Sequence, residues 1–160
     1  MQDAVPIRLG QEFKAYSVAI MRDIHRMDKA MDEMRTLNMG GTAIGTGINA
    51  DEGYLRRIVP NLTEISGMDF IQAFDLIDST QNLDPFVAVS GAVKACAVTL
   101  SKMSNDLRLM SSGPRTGFGE INLPAKQNGS SIMPGKVNPV IPEVVNQVAF
   151  NIIGNDVTIT

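Results

Sequence analysis

Residues 129–138 gather two hydroxyls, one ammonium and one amide, and Pro139 follows at once. The hydroxyls belong to Ser130 and Ser131, the ammonium to Lys136 and the amide to Asn138. Asn is a favoured N-cap and Pro a favoured first helical residue, so the spacing predicts that a helix begins here. A helix start offers free N–H groups and the positive end of the helix dipole. This segment, which we call the serine loop, therefore suits a carboxylate-rich substrate.

Each of these residues also has a simpler structural interpretation. A Gly-Ser-Ser run followed by Pro-Gly is typical of a flexible connector. Lys136 alone fits a solvated surface cation, and Glu143 fits an acid stabilised by the positive end of a helix. Asn138 has a sufficient role as a cap, whether or not it binds a ligand. Taken by themselves, the residues leave both interpretations open.

The bulk composition excludes several classes of protein. A chain of 160 residues fits one domain with its own core. The net charge of −3 does not match the basic footprint of a nucleic-acid binder. A single cysteine cannot form an internal disulfide, which favours a reducing, cytoplasmic setting. Neither an uninterrupted apolar run of membrane-spanning length nor an N-terminal leader is evident, so we expect no membrane partner.

The elements that must position the loop are helices. Between Pro85 and Gly113, apolar residues alternate three- and four-residue steps, the seam of a helix packed lengthwise in a bundle. They are Phe86, Val89, Val93, Cys96, Leu100, Met103, Leu107 and Met110. Asp84 and Pro85 predict the start of this helix, and Gly113-Pro114 predicts its end. A stripe of small side chains runs beside the seam, at Ala88, Ala92 and Ala95.

A second helical repeat runs from Phe13 to Met34, with a charged face that we interpret as partly solvated. That face carries Lys14, Arg22, Asp23, Arg26, Asp28, Asp32 and Arg35. His25 lies between Arg22 and Arg26 on the same face and is expected to point to solvent. A shorter helix is predicted from Asp51 towards Ser66, and Pro60 should kink or interrupt it.

The last part of the chain combines a loop with a helix. Residues 114–138 hold three Pro and four Gly, which predicts a long ordered loop of the kind that carries function. The spacing of Val140, Val144, Val148 and Ile152 then predicts an amphipathic helix. No useful period-2 run is present, so the predicted fold class is all-α: one long-helix bundle over residues 1–160.

The serine loop, Gly129-Ser130-Ser131-Ile132-Met133-Pro134-Gly135-Lys136-Val137-Asn138, resembles the signature loop of the aspartase/fumarase superfamily. The resemblance extends through residues 40–47, 104–108 and 111–115 and so covers essentially the whole chain. The run 139–148 is similar to the branch that eliminates ammonia from aspartate. The resemblance implies the central helical domain of these lyases, which form homotetramers and convert succinyl-type substrates to fumarate.

Roles for individual residues follow from this resemblance. Ser130 matches the serine that acts as general base, and Glu143 matches the acid that pairs with a catalytic-site histidine. Lys136 and Asn138 match positions that bind a substrate carboxylate. A serine needs its alkoxide stabilised before it can act as a base, and the backbone of Ser131, Ile132 and Met133 together with Lys136 offers N–H groups and charge for that. The substrate-binding set is therefore Ser131, Ile132, Met133, Lys136 and Asn138.

The resemblance also implies what lies outside these residues. The family histidine precedes the segment that begins here at Met1, and the family's N-terminal and C-terminal parts are not included. We therefore expect negligible lyase activity from the isolated chain. Two alternatives stay open: a fumarase-type hydratase acting on malate and fumarate, and a purely structural helical module that drives oligomer assembly.

Other sequence features point away from a cofactor. Gly45-Thr46-Gly47 resembles a dinucleotide loop only faintly, because no strand precedes it and the third glycine is missing. Cys96 lies on the helix seam, which favours a buried, inert thiol. Arg115 fits a turn anchor. No His, Cys or carboxylate cluster has metal-ligand spacing, so neither a metal nor an organic cofactor is expected.

Overall fold

The computed structural model describes residues 2–160, and its regular structure is almost entirely helical. The helices are α1 (Leu9–Glu33), α2 (Glu52–Ser66), α3 (Asp78–Gln81), α4 (Asp84–Met110) and α5 (Val140–Ile159). Two short strands, β1 (Thr36–Leu37) and β2 (Ile71–Gln72), form a parallel pair with Thr36 opposite Ile71. The predicted all-α fold class is confirmed.

The chain divides into two compact units. Unit 1 combines the described part of Met1–Ile24 with Gly91–Thr160, and unit 2 is His25–Ser90. The boundaries fall within α1 and within α4. The single domain over residues 1–160 stays a prediction, since compactness does not decide how many parts fold independently.

In unit 1, polar contacts join α4 and α5. Ala97 and Met103 of α4 and Ala149 of α5 are among the buried residues of the unit. The ammonium of Lys94 pairs with the carboxylate of Asp156, which is only 5 % exposed. Burying a carboxylate is costly unless it is paired, so this contact fixes α5 against α4.

Length and apolar composition alone would allow α4 to cross a membrane. The core helices of soluble proteins pass the same test, and one such helix is weak evidence. Lys94 and Ser101 of α4 make polar contacts to α5, as expected of a helix packed against protein.

A second polar contact in unit 1 involves Tyr16 of α1. Its hydroxyl donates to Asp106 Oδ2 at 2.8 Å, and Lys102 pairs with the same carboxylate. The Lys102 ammonium also lies 5.2 Å from the centre of the Tyr16 ring. Burial, and then the hydrogen bond to Asp106, raise the pKa of Tyr16 from its ordinary value near 10 to about 12.

This shift predicts how stability changes at high pH. Because the folded state raises the pKa of Tyr16, the stabilising contribution is complete below the unfolded pKa and is lost as pH rises towards about 12. The urea midpoint of the chain should therefore fall across that window, and Tyr16→Phe should make the fall shallower. Tyr54→Phe, at an exposed tyrosine, serves as the control and should keep the full slope. Equal slopes for all three proteins would contradict the assignment.

Helix α2 in unit 2 begins as predicted. Asp51 is its N-cap, and the carboxylate accepts a hydrogen bond from the N–H of Tyr54 at 3.1 Å. Gly67 ends the helix in the left-handed region with φ +69°. Pro60 was predicted to kink or interrupt the helix. The interruption is wrong, because α2 runs unbroken from Glu52 to Ser66, and the kink stays a prediction. Proline lacks one hydrogen bond, and the buried side chain of Val59 beside it supplies packing that can offset the loss.

The charged face of α1 also departs from the prediction at one position. Asp23 was expected on a solvated face, but it is only 1 % exposed. The helical repeat placed it correctly among charged residues but could not show that other elements cover it. His25 is exposed as predicted. Cys96 is half-buried, less than the seam position predicted, and burial followed by the negative charge of Asp23 raises the pKa of its thiol.

Helix α4 starts at Asp84 as predicted and ends at Met110, three residues before Gly113. The apolar residues of its seam differ in how far they are buried. Met103 and Met110 are buried, whereas Phe86 is 53 % exposed. The long loop that follows, up to α5, contains no further helix and only one isolated β-bridge.

Candidate functional site

The serine loop folds as a narrow turn that closes on itself. Asn128 and Val137 form an antiparallel bridge, and the N–H of Gly129 donates to the carbonyl of Lys136 at 2.8 Å. The N–H of Lys136 in turn donates to the carbonyl of Met133 at 3.1 Å. These bonds bring the backbones at the two ends of the loop together. Ser130 therefore follows directly after the residue that pairs with Lys136.

Two glycines of the loop are required for different reasons. A Cβ at Gly129 would lie 2.8 Å from the carbonyl oxygen of Lys136, so any larger residue would push the two arms of the turn apart. Gly135 has φ +80°, a conformation that residues with a side chain rarely adopt. Both glycines thus maintain the closed turn.

Ser130 lies in the half-buried part of the turn with a backbone donor already directed at it. Its Oγ accepts a hydrogen bond from the N–H of Ile132 at 3.3 Å. This is the kind of donor that a serine alkoxide would need, and it comes from one of the three residues whose backbone was predicted to supply it. Ser131 is exposed, and the side chains of Ile132 and Met133 are 85 % and 48 % exposed.

Lys136 presents its positive charge on the exposed surface of the same turn. Within residues 2–160, no carboxylate forms an ion pair with it. An anion that enters from outside would therefore not have to displace an internal partner from this ammonium.

The predicted cap at Asn138 is wrong. The N-cap of α5 is Pro139, without a side-chain hydrogen bond, and the helix starts at Val140. The carbonyl of Asn138 instead accepts a hydrogen bond from the N–H of Val140 at 2.9 Å, which places Asn138 in a tight turn before the helix. Pro139 has φ −76° and ψ +62°, the conformation of the central residue of an inverse γ-turn, so it cannot be the first helical residue. Without a capping bond, the half-buried Asn138 amide is available to a ligand.

The start of α5 offers fewer free donors than an average helix start. The N–H of Val140 is used in the turn with Asn138, and Pro142 has no N–H. The anion attraction expected from the helix end is correspondingly weaker. Positive charge at this site therefore depends mainly on Lys136.

Glu143 lies in the first turn of α5, partly exposed. Its Oε1 is 3.9 Å from Nη2 of Arg108, which comes from the last turn of α4. The structure thus places Glu143 near Arg108, a residue for which the sequence predicted no role. The signal that could have identified Arg108 is the spacing of Ser101, Asn105 and Arg108 on one face of α4.

The loop between α4 and the serine loop is tied back to the end of α4. Ser112 Oγ donates to the carbonyl of Leu109 at 2.6 Å and accepts from the N–H of Phe118 at 3.1 Å. The N–H of Gly119 donates to the carbonyl of Ser112 at 2.8 Å. Arg115 lies exposed in this turn, whose hydrogen bonds are centred on Ser112. These bonds tie residues 112–119, the first part of the long loop, to the end of α4.

Gly117 gives a direct test of that attachment. A Cβ at this position would lie 2.3 Å from the carbonyl carbon of Ser112. We expect Gly117→Ala to destabilise the chain by about 1–3 kcal/mol in urea unfolding, as overpacking does. Gly10→Ala is the matched control, because its Cβ would meet nothing within 4 Å in α1 and should leave stability equal or slightly higher. A neutral Gly117→Ala would show that the loop does not hold this close approach.

No metal centre is evident in the described chain. Between residues 2 and 160, no three His, Cys, Asp or Glu side chains are grouped so that they could hold a metal ion.

Comparison with known proteins identifies the family. A model described as lyase matches residues 1–154. The chain belongs to this lyase family. The aspartate ammonia-lyase of Bacillus subtilis (strain 168) is 56 % identical to this chain over 99 % of its residues. The aspartate ammonia-lyase of Escherichia coli (strain K12) is 51 % identical over 100 % of the chain. In both relatives the match covers 34 % of their own length, so the chain spans about a third of these proteins.

Solved structures support the same placement. A fumarate lyase:delta crystallin from Brucella melitensis, bound to cobalt, has a TM-score of 0.91 at 53 % identity, covering 98 % of this chain and 34 % of that one. A class II fumarase from Schistosoma mansoni has a TM-score of 0.89 at 35 % identity, covering 99 % and 36 %. The resemblance to the aspartase/fumarase superfamily is therefore confirmed.

Proposed function

We propose that this lyase chain carries the serine loop and adjoining acid of an aspartate ammonia-lyase. The reaction is the reversible elimination of ammonia from L-aspartate to give fumarate. The observation that carries the proposal is the Ser130 hydroxyl, held by the N–H of Ile132 in a closed turn beside Lys136. The 51–59 % identity to relatives named for this reaction supports it.

The chemistry requires a base next to a site for growing negative charge. Ser130, as its alkoxide, takes a proton from the carbon next to a substrate carboxylate, and the electron pair spreads onto that carboxylate as an enediolate-like group. The pair then returns to form the carbon–carbon double bond, and the carbon–nitrogen bond breaks with its electrons leaving on nitrogen. Donors and charges that stabilise the intermediate contribute most to such a step.

The remaining residues hold the substrate. Lys136 pairs with a carboxylate, the Asn138 amide hydrogen-bonds to it, and the backbone of Ser131, Ile132 and Met133 supplies N–H groups. Ile132 and Met133 also present exposed apolar side chains at the tip of the turn, which can exclude water once substrate is bound. Glu143 pairs with a histidine that residues 1–160 do not include at the matching position.

The same proposal includes an oligomeric state and a cellular location. Ile141, Val144 and Val148 share one face of α5, and each is more than half exposed, which favours burial against further helices in a homotetramer. Because such a site would combine segments from several subunits, the isolated chain has negligible turnover. We place the protein in the cytoplasm, acting on a small dicarboxylate amino acid without nucleic-acid or membrane partners.

Two other functions are tested by the same experiment. The Schistosoma mansoni fumarase likeness favours a hydratase that converts malate and fumarate as the second candidate. The exposed apolar face of α5 favours, as a third candidate, a helical module with no chemistry of its own.

The test uses the natural protein, meaning the product of the complete open reading frame that carries residues 1–160. We expect it to form fumarate from L-aspartate, seen as growing ultraviolet absorbance, and to convert L-malate far more slowly. A preference for malate would reverse the order of the candidates, and no turnover of either substrate would favour the structural module. The 160-residue chain alone should be inactive, and robust turnover by it would contradict the shared-site proposal.

A hybrid enzyme gives a second test in a known background. The matching third of the Bacillus subtilis aspartate ammonia-lyase is replaced by this chain, which is 56 % identical to it. We expect the hybrid to keep aspartate turnover. A folded but inactive hybrid would count against the proposed roles of the serine loop.

A further inference from the structure

A strip of polar side chains crosses the contact between α4 and α5 in unit 1. Ser101, Asn105 and Arg108 are spaced four and three residues apart and so share one face of α4. Glu143 and Asn146 are spaced three residues apart on α5 and face them. The strip begins in the middle of α4 and ends at the acid next to the serine loop.

Asn146 is the buried centre of this strip, with only 4 % of its surface exposed. Its Oδ1 lies 3.1 Å from Ser101 Oγ, and its Nδ2 lies 2.7 Å from Asn105 Oδ1. When the amide is turned so that its nitrogen donates to Ser101, its oxygen accepts from Arg108 Nη1 at 3.1 Å. A buried amide needs partners on both of its ends. The same turn leaves the Asn146 oxygen 2.7 Å from Asn105 Oδ1, so the Asn105 amide must turn with it for its nitrogen to donate there.

Arg108 therefore has two attachments on α5. Nη1 meets Asn146, and Nη2 lies 3.9 Å from Glu143 Oε1, one helical turn nearer the serine loop. A guanidinium is planar and rigid, so fixing one nitrogen sets the direction of the other. Glu143 is partly exposed and would otherwise sample several rotamers.

We infer that Arg108, anchored by Asn146, is a positioning residue for the Glu143 carboxylate. The inference rests on the proposed function for the role of Glu143 in catalysis. The 3.9 Å separation restrains one carboxylate oxygen without enclosing the group, so the carboxylate can still receive a second partner. Because a misplacement of about 1 Å can cost on the order of 10²-fold in rate, losing this restraint should slow the reaction itself.

The main experiment measures turnover of aspartate by variants of the natural protein. Arg108→Met should lower kcat about 10–100-fold and leave KM within about two-fold, because Arg108 acts on the acid and not on substrate binding. Arg108→Lys keeps the charge but cannot reach both partners, so it should recover only part of the loss. Asn146→Leu should lower kcat in the same direction as Arg108→Met.

The matched control is Lys102→Met. Lys102 is another α4 cation paired with an acid, Asp106, but this pair contacts Tyr16 of α1. It should keep kcat unchanged. An equal loss in Lys102→Met and Arg108→Met would mean that any removed α4 charge disturbs the fold, and would overturn the inference.

A double-mutant cycle separates positioning from a purely structural role. In a Glu143→Gln background, Arg108→Met should cause almost no further loss of kcat, because the group that it positions is already disabled. Additive losses would overturn the inference.

Crystal structures separate this inference from the proposed function. In Arg108→Met, the Glu143 side chain should turn away or occupy several rotamers while α5 keeps its place. An unchanged Glu143 would overturn the positioning role, whatever the activity. If the natural protein converted neither aspartate nor malate, the proposed function would fail, while the crystal structures would still decide whether Arg108 orients Glu143.

Discussion

Ser130→Ala should lower kcat for aspartate in the natural protein on the order of 10³-fold, with little change in KM. The proposed base is removed, and the contribution of a positioned general base lies in the range of about 10²–10⁴-fold. The turn should persist, because its closing bonds join the backbones of Gly129, Lys136 and Met133 and do not involve the hydroxyl. Steady-state rates of fumarate formation give kcat and KM, and the circular dichroism melting curve checks folding.

Ser131→Ala is the matched control for this prediction. It removes an adjacent hydroxyl of the same size in the same turn, at a position proposed to contact substrate through its backbone. We expect a change of less than about ten-fold, mostly in KM, because the backbone N–H stays and the loss cannot exceed that of a single neutral hydrogen bond. If Ser131→Ala lost more kcat than Ser130→Ala, the base would have to be reassigned to Ser131. If both variants kept full kcat, serine would not act as the base.

The helices could be predicted from the sequence because their signals are local. The helix start at Asp51 and the Asp-Pro start at Asp84 each depend on a few neighbouring residues, and both are found where predicted. The seam of α4 depends on a repeat that no insertion interrupts. Such patterns predict type and position of a helix because hydrophobic spacing and capping act within single turns.

The departures occur where distant residues decide the outcome. Asp23 has the sequence context of a solvated helix face, yet it is buried, and its charge acts on Cys96, more than 70 residues along the chain. Pro60 should interrupt an isolated helix, but α2 continues through it. Tertiary packing outweighs local propensity in both places.

The site could be predicted in part. The members of the serine loop follow one another in sequence, so a resemblance over ten residues could name them all. The contact between Arg108 and Glu143 joins two helices separated by a long loop, and the burial of Asn146 depends on the same contact. Spacing within α4 could mark Arg108 as part of a polar face, but it could not show the contact with Glu143 or the burial of Asn146. The cap at Asn138 failed for a local reason, since Pro139 and the turn to Val140 set the backbone there.

The geometry at the start of α5 makes Lys136 more important than the sequence suggested. An ordinary helix start offers several free N–H groups to an anion. Here Val140 donates within its own turn and Pro142 has no donor. A doubly charged intermediate therefore depends on the Lys136 ammonium for most of the positive charge that this segment can provide.

Lys136→Met should accordingly lower kcat/KM for aspartate about 100-fold. Methionine keeps the length of the side chain and removes the charge, and a hydrogen bond to a charged group contributes about 1.5–3 kcal/mol, which corresponds to about 10–150-fold. The loss should appear in KM, through weaker binding of the carboxylate, and also in kcat, because the charge stabilises the Ser130 alkoxide and the intermediate. Initial rates over a range of aspartate concentrations separate the two.

Lys126→Met is the control, since Lys126 is an exposed cation of the same long loop outside the serine loop. It should keep kcat/KM, because salt screens a charge that does not touch the substrate. Added salt should lower the kcat/KM of the natural protein and have less effect on Lys136→Met, since the variant has already lost the attraction that salt weakens. Equal losses in the two lysine variants would indicate general electrostatic attraction of the substrate. A Lys136→Met variant with full activity would remove the serine loop from the anion site altogether.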